Sequence, residues 1–169
     1  MIEPRYVQTM ARYNSWQNNQ LSPVLNVMSI EDLTKDRGAF FGSLLGTANH
    51  LLWGDTLWMN RFTGTVAAPD GEASDHTQSH KTIASWTAAR LRMDVIIQDW
   101  ADGLEHDDLT GDLTWFSQTA GRDMSSPMST FVVSFLNHQT HHRGQIHAML
   151  TAAGQRAPVS DLIFMPEDN

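Results

Sequence analysis

The sequence predicts an all-α chain folded as a four-helix bundle with long irregular connections. Three observations predict it. Four segments of about 25 residues carry apolar residues at i, i+3, i+4 spacing. No segment shows a convincing strand pattern. The two long connections, residues 64–80 and 107–127, are rich in Gly, Ser, Thr and Asp, the composition of surface turns. A helix of about 25 residues is roughly 37 Å long. Four such amphipathic rods bury their apolar stripes against one another. The 169 residues suffice for one domain, residues 1–169, with a sizeable core.

The first helix is expected over residues 4–28. Pro4 suits a first helical turn. Tyr6, Met10, Tyr13, Asn14, Gln17 and Leu21 share one face. Pro23 should kink or end the helix, because it lacks an N–H and clashes with the preceding turn. Ser29 then caps a short acidic turn, IEDLTKD. The second helix is expected over residues 38–62. The third runs over 81–104, with Trp86, Met93, Ile97, Trp100 and Leu104 on its stripe. The fourth runs over 128–153, and Gly154 fits its C-terminal cap. LTWF, in the second long connection, can form a short extended piece. Leu162, Ile163 and Phe164 of the tail are expected to dock on the bundle.

Composition narrows the chemistry. There is no Cys and there are eight His. The chain therefore holds no disulfide, no thiolate nucleophile and no Cys-ligated metal. Any metal ligand is a His, Asp or Glu. Eleven Lys+Arg against nineteen Asp+Glu give a net charge of −8. The nine Arg are scattered, so no basic stripe exists to neutralise phosphates, and no nucleic-acid partner is expected. The N-terminus lacks an apolar signal region, and no apolar run reaches the length of a membrane span. A cytoplasmic protein with no membrane partner is the expectation.

The fourth helix contains FVVSFLNHQTHHRGQIHAML. His138 and His142 are four residues apart and stack on one face, about 40° apart. Phe131, Phe135, Ile146 and Met149 share that face, so the pair points at the core. A buried imidazole pair needs hydrogen bonds or a shared ligand. The spacing lets both rings reach one divalent ion. Gln139 follows the first His where a zinc peptidase needs Glu, which removes the peptidase reading. His50, in LGTANHLLWGD on the second helix, has small neighbours on its face: Ser43, Gly46, Thr47 and Gly54. Gly inside a helix costs about 1 kcal/mol against Ala, so two of them suggest a need for space. His50, His138 and His142 together make a three-His site for one divalent metal ion: Zn or Ni, with Fe and Mn also compatible.

A lone core-facing His is ordinarily a satisfied core residue; a pair with a third on another helix favours a metal. His76, His80, His106 and His147 read as solvated. His141 lies at the stripe's edge, beside the ligands, and Gln145 is placed to orient a ligand imidazole. Asn14, Trp16, Gln17 and Asn18 of the first helix are candidates to line the pocket. Arg61 is a candidate to receive an anionic substrate group, while Arg143 reads as structural. The abundant Trp and Met read as core. Ferritin-like di-iron chemistry needs Glu in the helix centres. The five Glu here (Glu3, Glu31, Glu72, Glu105, Glu167) all lie elsewhere.

NHQTHHRGQIHAML, ANHLLWGDTLWMNRF, YNSWQNNQL and DRGAFFGSLLGT resemble the motifs of the DinB/YfiT-like superfamily. The resemblance spans about residues 13–164. It implies a four-helix bundle holding one divalent metal by His50, His138 and His142, and a homodimer. It also implies a transferase or isomerase that uses a low-molecular-weight thiol, such as bacillithiol, mycothiol or a glutathione-like molecule, against an electrophilic substrate. A divalent ion deprotonates a coordinating thiol. The alternatives are a metal-dependent hydrolase using metal-bound hydroxide, or a non-enzymatic, stress-related metal-binding protein. Hydrolysis needs a nearby carboxylate, and Asp55 projects about 140° away from His50.

Overall fold

The computed structural model describes residues 2–71, 73–117 and 120–167. Four long helices form the bundle: α1 (Pro4–Asn26), α3 (Leu44–Thr63), α4 (Ile83–Asp102) and α5 (Met128–Ala152), with a short α2 (Ile30–Thr34) between the first two. α1 packs chiefly on α4, and α3 on α5 and α4. Leu21, Leu25, Leu44, Met59, Trp86, Phe135, Leu136, Ile146 and Leu150 are fully buried at the centre. Helix starts follow local chemistry. Ser29, Ser43 and Thr82 each accept a hydrogen bond from a backbone N–H in the first turn that follows. α5 ends where Gly154 takes φ +72° and the Gln155 N–H turns back to the Leu150 carbonyl.

Several expectations need correction. α3 begins at Leu44 rather than near residue 38. Residues 37–42 instead fold into a tight turn, with Arg37 N–H on the Gly42 carbonyl and Gly42 N–H on the Ala39 carbonyl. Pro23 does not end α1, which runs three residues beyond it. The carbonyl its ring deprives of a partner belongs to Asn19, on the exposed side, where water can serve. The buried face of α1 includes Tyr13, Asn14, Gln17 and Leu21 as expected and is wider than expected, taking in Val7, Ala11, Asn18 and Leu25, while Tyr6 is exposed.

The second long connection carries an antiparallel hairpin, β1 (Asp112–Ser117) and β2 (Arg122–Pro127), with Trp115 opposite Met124. Exposure alternates along β1, as expected for a strand with one face on the bundle. Trp115 meets Phe131 of α5 edge-on at 4.7 Å.

The tail docks, though by other means than expected. Leu162, Ile163 and Phe164 are exposed. Main-chain carbonyls make the attachment instead. Tyr13 Oη donates to the Ser160 carbonyl at 2.5 Å, Gln17 Nε2 to the Val159 carbonyl at 2.7 Å, and Arg12 to the Pro166 carbonyl at 3.3 Å.

A polar chain crosses the bundle and ties all four long helices together. Asn18 Nδ2 on α1 donates to Asp94 Oδ1 on α4 at 2.9 Å. Arg90, one turn earlier on α4, pairs with Asp94 at 3.0 Å and with Asp55 of α3 at 2.5 Å. Gln139 of α5 donates to the other Asp55 oxygen. Beside it, Arg143 of α5 donates to Asn14 Oδ1 of α1 at 3.0 Å and lies over the Tyr13 ring. All of these side chains are buried. Burial lifts the Asp55 carboxyl to about 6 against the opposing pull of Arg90.

Candidate metal centre

Asp55 and Gln139 are sequence neighbours of Gly54 and His138. Their hydrogen bond therefore fixes the register in which α3 meets α5, and that register brings Gly54 against the His138 ring. A Cβ on Gly54 would stand 3.1 Å from His138 Cε1. The helical Gly is thus a cradle for an imidazole, a specific form of the space its residue type suggested. Gly46 serves another purpose: a Cβ there would lie 2.8 Å from the Phe41 carbonyl, so it admits the turn that leads into α3.

His50, His138 and His142 each offer a ring nitrogen, and these atoms lie within 4.8 Å of one another. His50 Nε2 and His138 Nε2 are 2.8 Å apart. The centroids of the three rings are 4.6–4.8 Å apart and mutually tilted, so they converge edgewise rather than stack. His142 donates from Nδ1 to Gln145 Oε1 at 2.8 Å, leaving its Nε2 free to act as a ligand. His138 Nδ1 is buried with no hydrogen-bond partner among the described residues.

Burial pushes His50 down to about 3 and His138 down to about 4, and neighbouring imidazoles push each the same way. Burial also lowers His142, while its bond to Gln145 opposes the shift. All three are therefore neutral at pH 7, with lone pairs available to a cation. The donor set and the fitted cradle suit a divalent ion. Among the described residues, no carboxylate or further His joins the group.

Phe41 closes one side. Its ring centroid lies 3.8 Å from that of His50 and 5.1 Å from that of His142. Sequence reasoning missed it, because it sits in the turn that was read as helix. His76 was also missed. Read as a solvated loop residue, it lies with Nδ1 3.3 Å from His50 Nδ1. A cavity of about 380 Å³ adjoins Phe41 and is lined also by Thr34, Asn49, Thr77, His80 and Lys81.

The other candidates lie elsewhere. Asn14 and Asn18 are taken up by Arg143 and Asp94, and Gln17 by the tail. Trp16 borders a groove with Arg12, Asn19 and Met165. Asn14, Gln17 and Asn18 thus hold neighbouring helices and the tail, and do not line the histidine cluster. Arg61 is stacked over the Trp58 ring of its own helix at 4.7 Å and is 5.5 Å from the Trp115 ring, so it lies between α3 and the hairpin. His141 is exposed and accepts from Gln145 Nε2 at 3.3 Å. His147 is half-buried rather than solvated. His80 is held through its main chain by Asn49, and His106 faces Glu3 at the surface.

The DinB family profile matches residues 1–168. The chain belongs to the DinB family. No curated protein matches it. Among solved structures, a DinB-like protein from Bacillus cereus ATCC 10987 is similar, with a TM-score of 0.56 and 23% identity. The match covers 87% of this chain and 90% of that one. At this identity the likeness bears on the fold, and this DinB-family chain shares that helical architecture. No helix in the described residues is long and apolar enough to cross a membrane.

The fit of Gly54 to the imidazole gives one expected result. Gly54→Ala should weaken divalent-metal affinity about tenfold or more, the usual range when a ligand's support is disturbed. Thermal stability of the metal-free protein should change little, since Ala favours the helix by about 1 kcal/mol. Titration calorimetry checks this; unchanged affinity would show that the His138 ring has room to shift.

Proposed function

We propose that this DinB-family protein binds one divalent cation, Zn or Ni, through His50, His138 and His142. On this reading it uses the ion to activate a low-molecular-weight thiol for transfer to, or isomerisation of, an electrophilic substrate. The observation that carries the reading is the convergence of three neutral imidazoles with no fourth protein ligand among the described residues. Structural zinc sites are closed by four protein ligands, whereas catalytic ones keep an open position.

A bound divalent ion supplies Lewis acidity and favours the thiolate form of a coordinating thiol. The chain's own residues set the conditions. His142 is oriented by Gln145 Oε1, and Phe41 shields one side of the cluster from water. The 380 Å³ cavity that shares Phe41 with the cluster, though none of the three histidines lines it, has room for a small molecule. In transfer to a chlorinated aromatic, the thiolate sulfur bonds to the ring carbon, chloride leaves with the C–Cl electron pair, and the thiol proton goes to solvent. The absence of Cys leaves no internal thiol to compete. Hydrolysis is less well supported, because Asp55 is committed to Arg90 and Gln139.

Holo protein incubated with a panel of small thiols and a chlorinated aromatic should release chloride faster than metal-free protein does. No metal-dependent acceleration with any thiol would move the assignment to a non-enzymatic metal-binding protein.

A further inference from the structure

His76 lies on a short 3-10 turn, Ala73–Gln78, in the connection between α3 and α4. That turn is not loosely placed. Asn49, the residue before His50, donates to the Thr77 carbonyl at 3.0 Å and to the His80 carbonyl at 2.9 Å, and its Oδ1 accepts from the His80 N–H. Ser79 Oγ donates to the His76 carbonyl at 3.1 Å. The ring stands between Phe41, edge-on at 5.2 Å, and Trp53 at 5.5 Å. Anchors and ring walls together hold His76 Nδ1 3.3 Å from His50 Nδ1.

We infer that His76 is a positioning residue for the metal centre: its Nδ1 accepts the His50 Nδ1–H and so keeps the His50 Nε2 lone pair facing the ion. The inference rests on the metal-binding reading above. The reasoning is one of valence. His50 Nε2 faces His138 Nε2 at 2.8 Å, so Nε2 is the nitrogen that enters the cluster. A neutral imidazole that offers Nε2 as a lone pair carries its proton on Nδ1. That proton needs an acceptor, and the nearest assigned partner is His76 Nδ1. His76 must then carry its own proton on Nε2. Gln145 plays the same part for His142. Partners of this kind fix the tautomer and aim of a metal-binding His, and their loss commonly costs about 10- to 100-fold in affinity.

Two substitutions separate this role from packing. His76→Phe keeps a ring between Phe41 and Trp53 but removes the acceptor. His76→Asn loses the ring but sets an amide oxygen near the place of Nδ1. In competition with a chromophoric zinc chelator, His76→Phe should bind zinc about 10- to 100-fold more weakly than wild type. His76→Asn should recover most of that loss. In the metal-free protein, ring-nitrogen NMR should show His50 protonated at Nδ1 in wild type and a tautomer mixture in His76→Phe. Zinc affinity unchanged in His76→Phe, or equally weak in both variants, overturns the positioning role. Wild-type protein that binds no zinc overturns the metal reading, and the tautomer measurement then decides by itself whether His76 orders His50.

Discussion

Arg90→Met should lower the unfolding free energy by about 3–5 kcal/mol, the range for removing one partner of a buried ion pair. Arg90 is almost fully buried and is shared by Asp55 and Asp94, both buried as well. Its loss leaves two buried carboxylates with Asn18 and Gln139 as their remaining side-chain donors among the described residues. Methionine fills the volume, so the loss reports charge rather than a cavity. For a chain of this size the melting temperature should fall by about 10 °C. The triple variant with Asp55→Asn and Asp94→Asn should recover much of it, since the isolated charges are gone. A loss below about 1 kcal/mol would mean that the pairs contribute no more than surface ones. Urea denaturation monitored by tryptophan fluorescence reads the difference.

His138→Ala should abolish stoichiometric metal binding, measured by elemental analysis of protein purified without a tag. His138 touches both of the others: its Nε2 meets His50 Nε2, and its ring lies next to that of His142. Two imidazoles from different helices remain in the variant, too few for a stable divalent site. Full occupancy in His138→Ala would sink the assignment of the three ligands.

The three histidines were legible because each lies inside a long helix. There the 3.6-residue period converts sequence spacing into a direction. His138 and His142 could be placed on one apolar face without knowing what that face meets. His76 could not. It lies in a connection without a period, and its position depends on Asn49 reaching across to the Thr77 and His80 main chain. Phe41 was hidden for a related reason: two positive-φ glycines, Gly38 and Gly42, turn DRGAFFGS back on itself before the helix begins.

The polar residues of α1 show the converse difficulty. Asn14, Gln17 and Asn18 do face inward, as a helical wheel allows, but a wheel does not name the partner. Their partners are Arg143, the Val159 carbonyl and Asp94, residues 76–142 positions away. Arg90 and Asp94 are buried because Asp55 of another helix stands opposite Arg90. The hairpin was half legible. LTWF was seen as extended, whereas the Ser-rich strand that pairs with it has little apolar alternation to announce it.

The tail attachment bears on how this chain can vary. A carbonyl is the same acceptor whatever side chain stands beside it. Ser160 and Val159 are gripped through their main chain, so many residue types at those two positions would leave the attachment intact. The demand falls on the other end: Tyr13 and Gln17 must supply a hydroxyl and an amide of the right reach. The segment's path is thus set by its main chain, and its exposed Ile163 and Phe164 can change without loosening its hold on the bundle.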